Sequence, residues 1–128
     1  MLPSLFSKPD FSLRWTGWSL KVWFEEPKEH YEVQWLDGRD LELGFHSEHR
    51  DGSRNEAVLA ALLAGEPDWR PVLGDEAETG LFIGGLPAHW RRVSELWPDA
   101  DLADFDLAME AAHRLATYTD ALEPWRHP

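Results

Sequence analysis

Cysteine is absent from the 128-residue chain, which removes structural disulfides, thiolate metal sites and a cysteine nucleophile together. Cations are scarce: 12 Lys and Arg stand against 24 Asp and Glu, a net charge of −12. A surface of that sign repels phosphate backbones and anionic lipid, so direct nucleic-acid binding and membrane association are not expected. No stretch reaches the ~18 successive apolar residues of a membrane span. The apolar residues of Met1-Leu-Pro-Ser-Leu-Phe-Ser have no cationic run ahead of them, unlike a secretory leader. A soluble, cytoplasmic protein is therefore the expectation. The glycines Gly80, Gly84 and Gly85 do not have the spacing of a phosphate loop, and no nucleophile-elbow pattern occurs. Internal repeats and low-complexity linkers are also missing, which leaves residues 1–128 as a single domain.

What is present suits a globular core: 43% of residues are hydrophobic and 12% aromatic, and a chain of this length buries roughly two-thirds of its unfolded surface. Charge is uneven. Lys8, Arg14 and Lys21 face only Asp10 in residues 1–24, whereas Asp99, Asp101, Asp104, Asp106, Glu110, Asp120 and Glu123 outweigh Arg114 and Arg126 after residue 98. A solvated acidic face near the C-terminus follows.

The first half reads as sheet. Leu13 and Trp15 share odd parity, Leu20, Val22 and Phe24 share even parity, and the switch falls at Gly17, as a turn or bulge requires. Tyr31, Val33 and Trp35, then Leu41, Leu43 and Phe45, alternate with polar residues around Asp37-Gly38, which predicts a hairpin. A Leu36-Asp37-Gly38 loop with Gly38 left-handed pairs Trp35 with Arg39. The second half reads as mostly helical. Ser53-x-x-Glu56 has the form of a capping box, Gly65 of a stop, and Val58, Leu59, Leu62 and Leu63 of a buried stripe between them. Pro67 and Pro71 make the segment around Trp69, Val72 and Leu73 irregular. Leu81-Phe82-Ile83 suggests a short buried strand, residues 90–97 fit helix or strand, and 104–122 form an amphipathic helix with Leu107, Ala108, Ala111, Leu115, Tyr118 and Leu122 inward. The fold class is α+β: an antiparallel sheet of three or more strands with helices packed on one face.

One polar constellation carries chemistry. In the register just described Glu32 opposes Glu42, His30 opposes Gly44, and His46 sits a diagonal step from His30, while Glu48 and His49 continue the run. Opposed carboxylates repel and call for a cation, a shared proton or splaying into water. Gly44 leaves room above the sheet for a ligand. His30, His46 and one of Glu32 or Glu42 would suit a divalent metal such as Zn²⁺ or Fe²⁺. A half-exposed sheet also turns polar residues outward by default, which makes a solvated face without any cofactor the simpler expectation. Glu110-x-x-His113 has helical ligand spacing but no matching carboxylates.

Of eight tryptophans, Trp23 has the parity of Ser19, Lys21 and Glu25 and should be exposed unless covered, for instance in a homodimer. Trp125 either docks against the sheet or meets a partner. Three functions remain open. The first is a non-catalytic acidic interaction module that binds a basic protein or a small cationic ligand through carboxylates and Trp23 or Trp125. The second is a small metal-dependent enzyme with His30, Glu32, Glu42 and His46 at its site. The third is an acidic nucleic-acid mimic.

Overall fold

Alternating apolar residues from Val22 to Phe45 share one buried sheet face, and the helices of the second half pack onto that face. The structure, a computed structural model, describes residues 11–15, 19–36, 40–81, 88–100 and 105–126. In chain order the elements are β1 (Phe11–Trp15), β2 (Ser19–Phe24), β3 (Glu29–Leu36), β4 (Asp40–Ser47), α1 (Gly52–Ala64), α2 (Glu66–Leu73), β5 (Glu78–Leu81), β6 (Arg91–Trp97) and α3 (Phe105–Arg126). The six strands form one antiparallel sheet in the order β1-β2-β3-β4-β6-β5. The fold is α+β, as the alternation and the helical stripes require.

Trp15 pairs with Leu20 and Leu13 with Val22, so the parity switch near Gly17 marks the joint of a hairpin. The β3–β4 hairpin forms, but its register differs from the sequence expectation. Trp35 pairs with Leu41, Glu32 with Gly44 and His30 with His46. The connection spans residues 37–39 rather than 36–38, and the turn position of Gly38 lies outside the described residues. Hydrophobic alternation fixes only which face a residue occupies; loop length fixes its partner. A displacement of two therefore changes every pair while leaving every face unchanged. Tyr31, Leu41, Leu43 and Phe45 are buried with Leu115 and Tyr118 of α3, and Val33 and Trp35 are half-buried beside them.

Gly44 does not open space for a ligand. Its φ is +144°, and a Cβ there would lie 2.5 Å from Ser94 Cα and from the Val93 carbonyl oxygen. The glycine permits close approach of β6. Gly44→Ala combines backbone strain with a clash against main-chain atoms and is expected to cost about 3 kcal/mol, measurable as a lower midpoint in denaturant unfolding; an unchanged midpoint contradicts this account.

Helix α1 is capped by Asp51, whose carboxylate accepts from the Ser53 amide at 3.0 Å and from its hydroxyl at 2.7 Å. Ser53 is thus a donor to the cap, not the cap itself. The inward stripe runs Asn55, Val58, Leu59 and Leu62, so Leu63 falls off it and is exposed. Helix α2 is continuous from Glu66 to Leu73: Pro67 sits in the first turn, where amides lack partners, and Pro71 lies inside the helix. Trp69 and Leu73 are buried, and Val72 is exposed. A strand runs over Glu78–Leu81 and shares Leu81 with the one expected at 81–83; Leu81 is exposed on this edge strand, not buried as expected, and Phe82 and Ile83 lie outside the described residues. Residues 91–97 are a strand because β6 fills an inner slot of the sheet, where Val93, Ser94 and Glu95 are all buried.

Helix α3 runs through Pro124 to Arg126 and buries Ala111, Leu115, Tyr118 and Leu122, while Ala108, assigned inward by periodicity, is exposed. Asp106, Glu110, His113 and Asp120 lie on its exposed side. Its C-terminal end is tied to the sheet: the Tyr31 hydroxyl donates to Glu123 at 2.6 Å, and Arg126 donates to both Glu123 and Glu29. Trp125 docks on the α1–α2 junction, not on the sheet; a Cβ on Gly65 would stand 2.1 Å from its indole. Among the described residues no helix is long and apolar enough to cross a membrane.

Candidate metal centre

On β4, which lies between β3 and β6, both faces are enclosed. Residues Leu41 to Ser47 of β4 are buried without exception, so the polar alternates are enclosed as fully as the apolar ones. His30 and Glu32 on β3, with Glu42 and His46 on β4, are at most 4% exposed. The solvated face expected from alternation is thereby overturned. A polar pattern on an inner strand reports a buried network when each group finds a partner, and among the described residues no buried side-chain nitrogen or oxygen lacks one.

The observed register places His30 opposite His46, with the rings edge to face and their centroids 5.6 Å apart. Glu32 lies one step along the hairpin from this pair, and Glu48 one step the other way, where its amide donates to the Lys28 carbonyl at 2.7 Å. The two carboxylates flank the two imidazoles. His30 Nε2 is 3.2 Å from Glu32 Oε1 and 3.5 Å from Glu48 Oε2. His46 Nδ1 is 3.0 Å and 3.4 Å from the same two oxygens. One potential ligand atom from each of these four residues lies within 4.8 Å of all the others.

Glu42 is not a fourth wall of this cluster. It opposes Gln34, accepts from Gln34 Nε2 at 2.9 Å, and receives the outer nitrogen of His46 at 2.7 Å. The expected face-to-face repulsion of Glu32 and Glu42 is thus resolved by His46, which bonds to both. Trp23 pairs with His30 from β2 and is half-buried, so its own chain supplies part of its cover. Trp125 belongs to the helical layer and takes no part. Glu110 and His113 are exposed on α3, outside the cluster.

Glu48 is the ligand candidate that alternation alone did not single out. Its signal is a repeated His-x-Glu, His30-Tyr31-Glu32 and His46-Ser47-Glu48, which in antiparallel strands brings both copies to one point. Asn55 holds the segment that bears it. Its side-chain oxygen accepts from the Ser47 hydroxyl and the His49 amide, both at 2.8 Å, and its nitrogen donates to the carbonyls of His49 and His89. His49 bonds to Glu29 at 2.6 Å, so the ordering of residues 47–49 reaches back to the start of β3.

Burial raises the Glu32 carboxyl, but hydrogen bonds from His30 and His46 outweigh it and hold the group at about 2. The same balance keeps Glu48 well below the usual range. At His46 burial disfavours the charged ring, yet the Glu42 charge and hydrogen bonds donated by the ring to Glu32, Glu42 and Glu48 raise its pKa; His30 is raised against its burial by Glu32 and Glu48. Below the ordinary imidazole value of 6.5 the ion-free cluster is thus carboxylates around imidazolium rings. Lowered carboxyl values stabilise the fold above their ordinary 4.5 and lose that contribution as pH falls through the folded values. Raised imidazole values stabilise it below their ordinary 6.5 and lose that contribution as pH rises through the folded values. Chelator-treated protein is therefore expected to have its highest thermal midpoint between these limits, near pH ~5.5; a midpoint that climbs steadily to pH ~8 is the contrary result.

No protein-family model matches the chain, and no curated protein or solved structure matches it.

Proposed function

We propose that the chain is a non-catalytic binding protein whose ligand is a divalent transition-metal cation, held by His30, Glu32, His46 and Glu48. The observation that carries this reading is the convergence of two imidazole nitrogens and two carboxylate oxygens within 4.8 Å. In a tetrahedral site with bonds of about 2.0–2.1 Å, neighbouring ligand atoms stand about 3.3 Å apart. The four nitrogen–oxygen separations, 3.0, 3.2, 3.4 and 3.5 Å, bracket that spacing. Two nitrogen donors favour Zn²⁺ or Fe²⁺ over Mg²⁺ and Ca²⁺, which prefer all-oxygen shells. Two carboxylates match the charge of the ion.

Enclosure argues for holding the ion rather than using it on a substrate. The four side chains are 2%, 5%, 0% and 12% exposed in sequence order, whereas a catalytic metal keeps an open position for water or substrate. Equilibrium dialysis of chelator-stripped protein near neutral pH tests the proposal. One Zn²⁺ or Fe²⁺ per chain at micromolar concentration is expected, with little competition from millimolar Mg²⁺ and with uptake lost in His30→Ala. No uptake of either ion at micromolar concentration overturns it.

A further inference from the structure

Each imidazole in the cluster has one nitrogen facing the carboxylates and one facing away, and the outward partners decide which nitrogen can bind an ion. His30 Nδ1 lies 3.0 Å from the Pro27 carbonyl oxygen. A carbonyl only accepts, so that nitrogen carries hydrogen and leaves Nε2 for the cluster. His46 is turned the other way: its Nε2 lies 2.7 Å from Glu42 Oε2, and its Nδ1 faces Glu32 and Glu48. Glu42 cannot readily swing inward to become a ligand itself. It is fully buried, and Gln34 holds its other oxygen at 2.9 Å.

Resting on the metal-binding reading above, we infer that the ion is bound through Nε2 of His30 and Nδ1 of His46, and that Glu42 is the positioning residue that sets this choice at His46. A carboxylate behind a metal-bound imidazole fixes its tautomer and ring orientation and makes the ligating nitrogen more basic. The two rings are therefore inequivalent: one is backed by a neutral carbonyl and the other by a charge. His46 is the stronger donor of the two, and its affinity for the ion depends on Glu42 although Glu42 never touches the ion.

The test uses full-length protein labelled with ¹⁵N at histidine and loaded with ¹¹³Cd²⁺, a spin-active stand-in for Zn²⁺. Coupling from cadmium to His30 Nε2 and His46 Nδ1, with His46 Nε2 protonated, is the expected pattern. Coupling to His46 Nε2 overturns the inference. A second measurement reads Glu42 directly: Glu42→Gln is expected to take up one Zn²⁺ per chain with 10–100-fold weaker affinity, and Glu42→Asp to recover part of the loss. Wild-type affinity in Glu42→Gln overturns the positioning role while the metal site stands. The cadmium experiment needs no substitution, so it decides the coordinating atoms even if both variants fail to fold. Wild-type protein that takes up neither cadmium nor zinc overturns the underlying reading instead.

Discussion

Zn²⁺ at about a hundred times its dissociation constant is expected to stabilise the chelator-stripped protein by about 2.7 kcal/mol. For a domain of this length that corresponds to a rise in thermal midpoint of about 10 °C. The physical basis is selective binding to the folded state: His30 and Glu32 meet His46 and Glu48 only when β3 and β4 pair in the observed register, so the unfolded chain offers no comparable site. Binding should release close to two protons per ion near pH ~6, since the ion replaces hydrogens that the raised imidazole pKa values retain. Differential scanning calorimetry gives the midpoint, and titration in two buffers of different ionisation enthalpy gives the proton count. An unchanged midpoint at saturating zinc contradicts the proposal.

The second large effect concerns the ion-free protein. His46→Ala should destabilise it by about 3–5 kcal/mol at pH ~5.5, because it strips buried carboxylates of the cation that partners them. His46 bonds to Glu32 at 3.0 Å and to Glu42 at 2.7 Å, and both acids are almost wholly removed from water. A histidine on a solvated sheet face would give a change of no more than about 0.5 kcal/mol. The two expectations are far enough apart for one urea titration to separate them. The deficit should shrink in acid, where protonation removes the charges that have lost their partner.

The contrast between those magnitudes shows how far local pattern reaches. Alternation at Tyr31, Val33, Leu41, Leu43 and Phe45 was sufficient to orient the hairpin, and helical spacing at Ala111, Leu115, Tyr118 and Leu122 to identify the helix that covers it. Neither pattern contains the number of residues in the loop, so the partner expected for each site residue differs from the observed one by two positions. Nor does period-two alternation say whether the polar face meets water. That depends on β6 lying next to β4, and residues 90–97 fit helix and strand equally well as sequence. Glu48 continues the polar run but is not marked as a ligand for a related reason: it stands just beyond the end of β4, where alternation ceases to assign a face. Asn55 stands one turn ahead of the aliphatic stripe expected at Val58, Leu59, Leu62 and Leu63, where no apolar periodicity marks a position as inward.

The strand order also sets a sequence of events. From β4 the chain passes through both short helices, forms the edge strand β5, and only then returns as β6 to the gap between them. The β3–β4 hairpin joins neighbouring segments and closes at little entropic cost, whereas pairing β4 with β6 must close a far longer loop. During synthesis, the outer edge of β4 therefore stays without its final partner until residues 91–97 have emerged. That edge belongs to the strand carrying Glu42 and His46, and an unpaired inner strand is open to the wrong neighbour. Slow arrival of β6 would limit the folding rate, and a chain stalled before it would be the species most prone to self-association.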